Sequence, residues 1–258
     1  MVTAVLSFYT VHDDRPASCY LSTMCSRYQA LKEAAWLEKF FATLYPPELP
    51  AGETWPLYDA PYVVRDLDQA PSEHVRECRV GQFGLLPRWA KDAKLGRQTY
   101  NARSETAAVK PSFKTAWARG QRCIIPATAI FEPSWETGKA VPWRISHVDG
   151  VPLGIAGLWS EWPAPDGTRR ESFTMLTVNA EGHPLMQRFH RPEDEKRMVV
   201  VLDPADYDRW LDCPVDRMMS MMTRYPAEQL VSEPSPTSAR KRTVQPEAVI
   251  EDDQQRLL

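Results

Sequence analysis

The sequence holds no C-x-x-C pair. Its five cysteines, Cys19, Cys25, Cys78, Cys123 and Cys213, are odd in number and widely spaced. That pattern excludes a zinc finger or ribbon and argues against a disulfide framework, so it favours a reducing cytoplasm. No apolar run is long enough to span a membrane. The first 24 residues also make a poor signal peptide. They lack a basic start, and the apolar stretch from Ala4 to Val11 runs straight into His12-Asp13-Asp14-Arg15-Pro16. Basic charge is not in excess either. Lys and Arg number 31 against 34 Asp and Glu, a net charge of −3. A global basic field is therefore absent, and any contact with nucleic acid must come from a local patch. There is no internal repeat, and His183 and His190 are too loosely spaced to read as a metal pair.

What is present fits one domain. The chain has 258 residues, of which 43% are hydrophobic and 25% charged, enough for one ordinary core. Nine Trp and nine Tyr are many for this length and leave candidates for stacking on a flat ligand. From Arg27 to Tyr45 the spacing of Tyr28, Leu31, Ala35, Phe40 and Leu44 predicts a helix, stopped by Pro46-Pro47. Arg79 to Leu86 reads as a strand. Asn101 to Arg119 carries two short helical patterns divided by Pro111, with Ser112 placed to cap the second. Arg122–Ile125 and Ala129–Phe131 read as short buried strands. Asp149-Gly150 and Asp166-Gly167 each sit between apolar runs and predict two hairpins. Asp203-Pro204 reads as a cap opening a helix through Leu211. The expected fold class is α+β: a curled, partly barrel-like, mostly antiparallel sheet with peripheral helices. Residues 1–24 read as a detachable extension, 25–234 as the domain, and 235–258 as a flexible tail.

Four features could carry chemistry. Met24-Cys25-Ser26-Arg27 looks like a protein N-terminus lying inside the chain. A cysteine with a free α-amine is a 1,2-aminothiol, which captures an aldehyde through nitrogen and sulfur together. Cys25 precedes the expected helix and neighbours Arg27, and both would lower a thiol pKa; the plain alternative is a buried structural cysteine. Asn101-Ala102-Arg103-Ser104-Glu105-Thr106 could be a capped helix start. It could also present Arg103 as a planar fork for a phosphate with Asn101 beside it. Lys110, Lys114, Arg119 and Arg122 come next, as a solvated face or a basic wall. Glu132 follows an apolar strand, where desolvation would let it act as acid and base. His190, after Phe189, is a better catalytic candidate than His183.

The order of these features is more specific than any one of them. Met24-Cys25-Ser26-Arg27, then Gly84-Leu85-Leu86-Pro87-Arg88-Trp89, then Asn101–Thr106, then Arg122–Glu132, then His190 with Arg197-Met198, resembles the SOS response-associated peptidase (SRAP) family. The resemblance runs from Met24 to Pro234. Two departures stand out: residues 1–23 precede the Met-Cys start, and the family's tight His-x-Arg-Met is opened here by Arg191–Lys196. The resemblance implies a protein that binds single-stranded DNA at abasic sites. It implies a covalent thiazolidine to the opened sugar through Cys25 as mature N-terminus, and autoproteolytic peptidase activity. Residues 1–24 would then be a misassigned start or a propeptide. By the same resemblance Cys25 is the nucleophile, Glu132 the acid and base, and His190 a polarising group. Asn101 would hold the cysteine, and Arg27, Asn101, Arg103 and Arg197 would meet DNA. Phe83 and Trp89 would stack on or wedge bases. It implies no cofactor, no metal, no membrane partner, and a cytoplasmic monomer that joins the nucleoid when bound to DNA. Two rivals remain open: a cysteine peptidase acting on other proteins, and a non-catalytic module for single-stranded DNA.

Overall fold

The computed structural model describes residues 25–44, 52–65 and 76–235. The extension expected over 1–24 and the tail beyond Ser235 lie outside the described residues. Twelve strands are described: β1 (Arg27–Ala30), β2 (Glu53–Thr54), β3 (Asp59–Arg65), β4 (Arg76–Phe83), β5 (Asn101–Arg103) and β6 (Arg122–Ser134), then β7 (Val141–His147), β8 (Leu153–Pro163), β9 (Arg169–Asn179), β10 (Arg197–Val199), β11 (Val201–Leu202) and β12 (Leu230–Pro234). Four short α-helices accompany them: α1 (Ala34–Phe41), α2 (Ser104–Ala107), α3 (Lys114–Ala118) and α4 (Tyr207–Asp212).

Pairing runs from β6 to β8, β9, β4 and β3, and β3 returns to β6, which closes five strands into a barrel. Most of the ladders are antiparallel. β4 and β5 run parallel to β9, which makes the sheet mixed. The expected α+β fold with a curled, partly barrel-like sheet is the observed one. Inside, Phe83 stacks on Phe173 with ring centroids 5.6 Å apart, and meets Tyr28 edge-on at 5.2 Å. Both rings of each pair are fully buried, and such pairs add to plain burial.

β6 gives this fold its shape. It is 13 residues long, and its two halves take different partners. Arg122–Ala127 pairs with β8, and Ile130–Ser134 pairs with β7. β1 crosses the junction with a register shift: Gln29 opposes Ala129 but Ala30 opposes Ala127, leaving Thr128 unmatched. A bulge of this kind bends a strand and re-aims the residues beyond it. The two short strands expected here are thus two halves of one bent strand.

Three local expectations are corrected. The helix expected from Arg27 is a strand, then a helix confined to Ala34–Phe41. β1 has partners on both sides, β2 and β6, and burial of Tyr28 against the barrel outweighs a weak helical period. Asp149-Gly150 makes a turn, with Gly150 at φ 70° and its N–H donating to the His147 carbonyl. It joins no hairpin, because β7 and β8 each pair with β6 instead of with each other. Ser112 caps nothing: the residue before α3 is Phe113, and no side chain caps it. The other turn and cap are as expected. Asp166-Gly167 joins the antiparallel pair β8 and β9, and Asp203 accepts from the Ala205 N–H ahead of α4.

Gly84 stands where a side chain would meet the backbone of another segment. Its φ is +117°, and a Cβ there would lie 2.6 Å from the Gly96 carbonyl carbon. Gly84→Ala should lower unfolding free energy by about 2–5 kcal/mol, adding positive-φ strain to overpacking. Urea denaturation with an unchanged m-value measures it; a loss within experimental error would mean that the segment around Gly96 yields.

Candidate active site

The ends of three strands and one loop converge beside the bulge. β1 begins two residues after Cys25 and sets Arg27 opposite Phe131. The next residue of β6 is Glu132, whose side chain is 1% exposed. β5 lies parallel to β9 and brings in Asn101. The loop after Met186–Arg188 brings in His190, whose N–H donates to the Pro133 carbonyl at 2.9 Å. His190 has φ 66°. This left-handed conformation is uncommon, although His tolerates it better than most residues.

His190 Nε2 is 3.0 Å from Glu132 Oε2, and the imidazole is fully buried. With an ionised carboxylate this is Nε2–H donating to Oε2. Nδ1 then has no partner among the described residues. Asn101 Nδ2 donates to the Cys25 carbonyl at 2.8 Å, while its Oδ1 is buried without a partner. The Cys25 thiol donates to the Arg27 carbonyl at 3.4 Å. Arg27 sits over Phe131, its guanidinium carbon 3.8 Å from the ring centroid, and pairs with Glu53 at 3.5 Å. Its Nη2 is also buried and unpartnered. Three buried polar atoms around the site thus have no hydrogen-bond partner among the described residues.

The electrostatics correct one expectation. No helix follows Cys25, so no helix N-terminus lowers its thiol pKa. Burial pushes the thiol well above its ordinary 9.0, and the Glu132 charge adds to the rise. Backbone hydrogen bonds at Phe131 and Arg27, and the Arg27 charge, oppose these effects without reversing them. At neutral pH the sulfur is therefore a protonated thiol.

The remaining candidates divide. Arg103 is half exposed and forms a 2.7 Å ion pair with Glu195. Trp89 is 55% exposed, with Nε1 donating to the Pro111 carbonyl at 3.3 Å. Phe83 is a core residue with no exposed surface, packed against Tyr28, Tyr100 and Phe173, so it has no face for a base. Arg197 is buried as well. It donates to Thr177 Oγ1 and the Thr177 carbonyl and pairs with Glu105 at 2.8 Å and Glu195 at 2.6 Å. Its donors are committed within the protein, away from a phosphate. Arg122 belongs to no basic wall: it donates to the carbonyls of Leu211 and Cys213 at the end of α4. His183 is structural, bonding the Tyr225 carbonyl through Nε2 and accepting the Met186 N–H at Nδ1. No cluster of His, Cys, Asp and Glu able to hold a metal occurs among the described residues. No helix there is long and apolar enough to cross a membrane. Sequence reading missed Glu53 and Glu195. Both lie outside the recognisable motifs, and nothing local marks an acidic residue as the partner of a distant arginine.

Barrel, buried pair and tethered cysteine together describe a class: a mixed barrel with a thiol, a carboxylate, an imidazole and an amide at one end. The family model for SOS response associated peptidase (SRAP) matches residues 24–240, and the chain belongs to this family. Abasic site processing protein YoqW of Bacillus subtilis (strain 168) is 30% identical over 223 residues, covering 80% of this chain and 90% of that protein. Abasic site processing protein HMCES of Rattus norvegicus is 27% identical over 207 residues, covering 67% of this chain and 56% of that protein. An X-ray structure of a Bordetella bronchiseptica protein matches with a TM-score of 0.76 at 42% identity, over 83% of this chain and 100% of that one.

The site makes two outcomes testable. Alkylation of Cys25, followed by peptide mass spectrometry, should stay slow up to pH 9 and rise only above it. Glu132→Gln removes the charge that helps to hold the thiol protonated, so its profile should move to lower pH; an unmoved profile would leave burial as the sole cause. Arg197→Met should lower stability by about 1–3 kcal/mol by breaking a buried network whose acidic partners can still reach water. Thermal or urea unfolding checks this, and an unchanged midpoint would contradict the structural role.

Proposed function

We propose that this protein processes abasic sites in single-stranded DNA by forming a covalent thiazolidine through Cys25 as N-terminal residue. The observation that carries this reading is the convergence of Cys25, Asn101, Glu132 and His190 from four separated segments. The family and the names of its relatives point the same way. The reaction needs a free α-amine on Cys25, exposed by cleavage before it, including autoproteolysis, or by translation from Met24 and loss of that methionine.

The residues suit this chemistry. The amine adds to the C1′ aldehyde of the opened sugar and gives a carbinolamine. Glu132, carrying the proton released by the α-ammonium, protonates the departing hydroxyl; water leaves, and an iminium remains. The Cys25 sulfur then adds to the iminium carbon as Glu132, now a carboxylate, takes the thiol proton. The ring nitrogen ends neutral with one hydrogen and Glu132 ends protonated, so the closed ring differs from the free amine, thiol and aldehyde by one water. A raised thiol pKa is tolerable here because the carboxylate deprotonates sulfur during attack. Asn101 holds the Cys25 carbonyl and so orients both amine and thiol. Its free Oδ1 and His190 Nδ1 are available to the sugar hydroxyls and the carbinolamine. Arg103 meets a flanking phosphate, and Trp89 offers a ring for stacking. The cysteine-peptidase rival is less well supported, since His190 Nε2 engages Glu132 and burial keeps the thiol protonated.

Incubation of the chain beginning at Cys25 with an oligonucleotide bearing one abasic site, followed by intact mass spectrometry, should show a gain of the DNA mass less one water. Cys25→Ala should abolish the adduct and keep noncovalent binding. Glu132→Gln should slow both adduct formation and reversal by about 100-fold, the usual weight of a general acid–base group. A chain beginning at Cys25 that gains no mass would sink the proposal, and wild-type rates in Glu132→Gln would remove Glu132 from it.

A further inference from the structure

The charged stretch between His190 and Arg197 is fastened at both ends. The Asp194 N–H donates to the Arg191 carbonyl at 3.1 Å, and the Ala180 N–H donates to the Lys196 carbonyl at 2.7 Å. Buried Lys196 turns its ammonium back onto the carbonyls of Arg191 and His190. Glu195 is thereby held between two guanidinium groups. Oε2 accepts from Arg103 Nη1 at 2.7 Å, and Oε1 accepts from Arg197 Nη1 at 2.6 Å and from Asn179 Nδ2 at 3.3 Å. On the Arg103 side, a guanidinium donating to an anionic oxygen is also how a phosphate is held.

The two arginines are not equivalent. Arg197 keeps Glu105 and Thr177 if Glu195 moves. For Arg103, Glu195 is the one ion-pair partner among the described residues, and the Arg103 side chain is 49% exposed. Glu195 itself is 36% exposed, so its Oε2 can leave Arg103 for water at little cost while Oε1 stays on Arg197.

We infer that Glu195 is an internal stand-in for a DNA phosphate. It occupies Arg103 in the free protein, and a backbone phosphate of single-stranded DNA displaces it. Glu195 therefore sets the affinity of the noncovalent complex that precedes chemistry. It suppresses weak attachment to undamaged strands, because each encounter must first break this pair. The inference rests on the proposed function and concerns the strength of DNA binding alone.

Fluorescence anisotropy with a labelled single-stranded oligonucleotide lacking abasic sites tests it, in a Cys25→Ala background that cannot crosslink. Glu195→Gln should bind about three- to five-fold more tightly, the size of a partly exposed ion pair. Adding Arg103→Ala should cancel that gain. Glu193→Gln makes the same charge change on the same stretch without an arginine to release, and should leave affinity unchanged. Melting temperatures confirm folding. If Glu195→Gln fails to fold, Glu195→Asp replaces it; its shorter side chain cannot span both arginines and should give a smaller gain in the same direction. Unchanged or weaker binding by a folded variant would overturn the inference. So would a gain that survives Arg103→Ala, or an equal gain from Glu193→Gln; in each case the proposed function would stand. Failure of the Cys25→Ala protein itself to bind the oligonucleotide would instead strike the DNA-binding reading, and this inference would fall with it.

Discussion

One bent strand sets the terms for the rest of the molecule. β6 must close the barrel with its first half and line the site with its second. The unmatched Thr128 lets it do both, because a straight strand would carry Glu132 along the barrel wall. Most of what is placed at the site is placed relative to that second half, Asn101 being the exception that arrives through β5 on β9. Cys25 arrives through β1, which pairs with it. His190 arrives through a backbone bond to Pro133, and Arg27 lies on Phe131. The geometry of the chemistry is therefore a property of backbone pairing more than of any one side chain.

Burial then sets the state of the thiol. An exposed cysteine beside an arginine would be ionised more readily. Here burial, with the Glu132 charge added to it, keeps the thiol protonated. The cost is a set of buried polar atoms without partners among the described residues: Asn101 Oδ1, His190 Nδ1 and Arg27 Nη2.

Legibility from sequence tracks interaction range. The Asp166-Gly167 hairpin and the Asp203 cap depend on neighbouring residues and are readable. Asp149-Gly150 carries an equally good turn signal, yet its strands part because β6 offers each a better partner. Tyr28 fits a helical period in sequence, but that period is weak and its barrel partners are distant along the chain. The grouping of Cys25, Asn101, Glu132 and His190 is reached through their order along the chain, since no local rule brings four separated segments together. The split between Arg103 and Arg197 is not readable. Both look alike in sequence, and only β9, with Thr177 beneath one of them, buries Arg197 and leaves Arg103 at the surface.

The pairing of Arg27 with Phe131 also has a consequence in time. A chain made from its N-terminus exposes β1 long before β6 exists to receive it. At roughly 5–20 residues per second, the hundred or so residues between them take on the order of ten seconds to synthesise. Closing so long a loop is also entropically slower than forming the local β8–β9 hairpin. The segment that carries Cys25 thus waits for a partner while elements later in the sequence are still to be made. For that interval the residue that ends up buried beside Phe131 and Glu132 has neither of them to cover it.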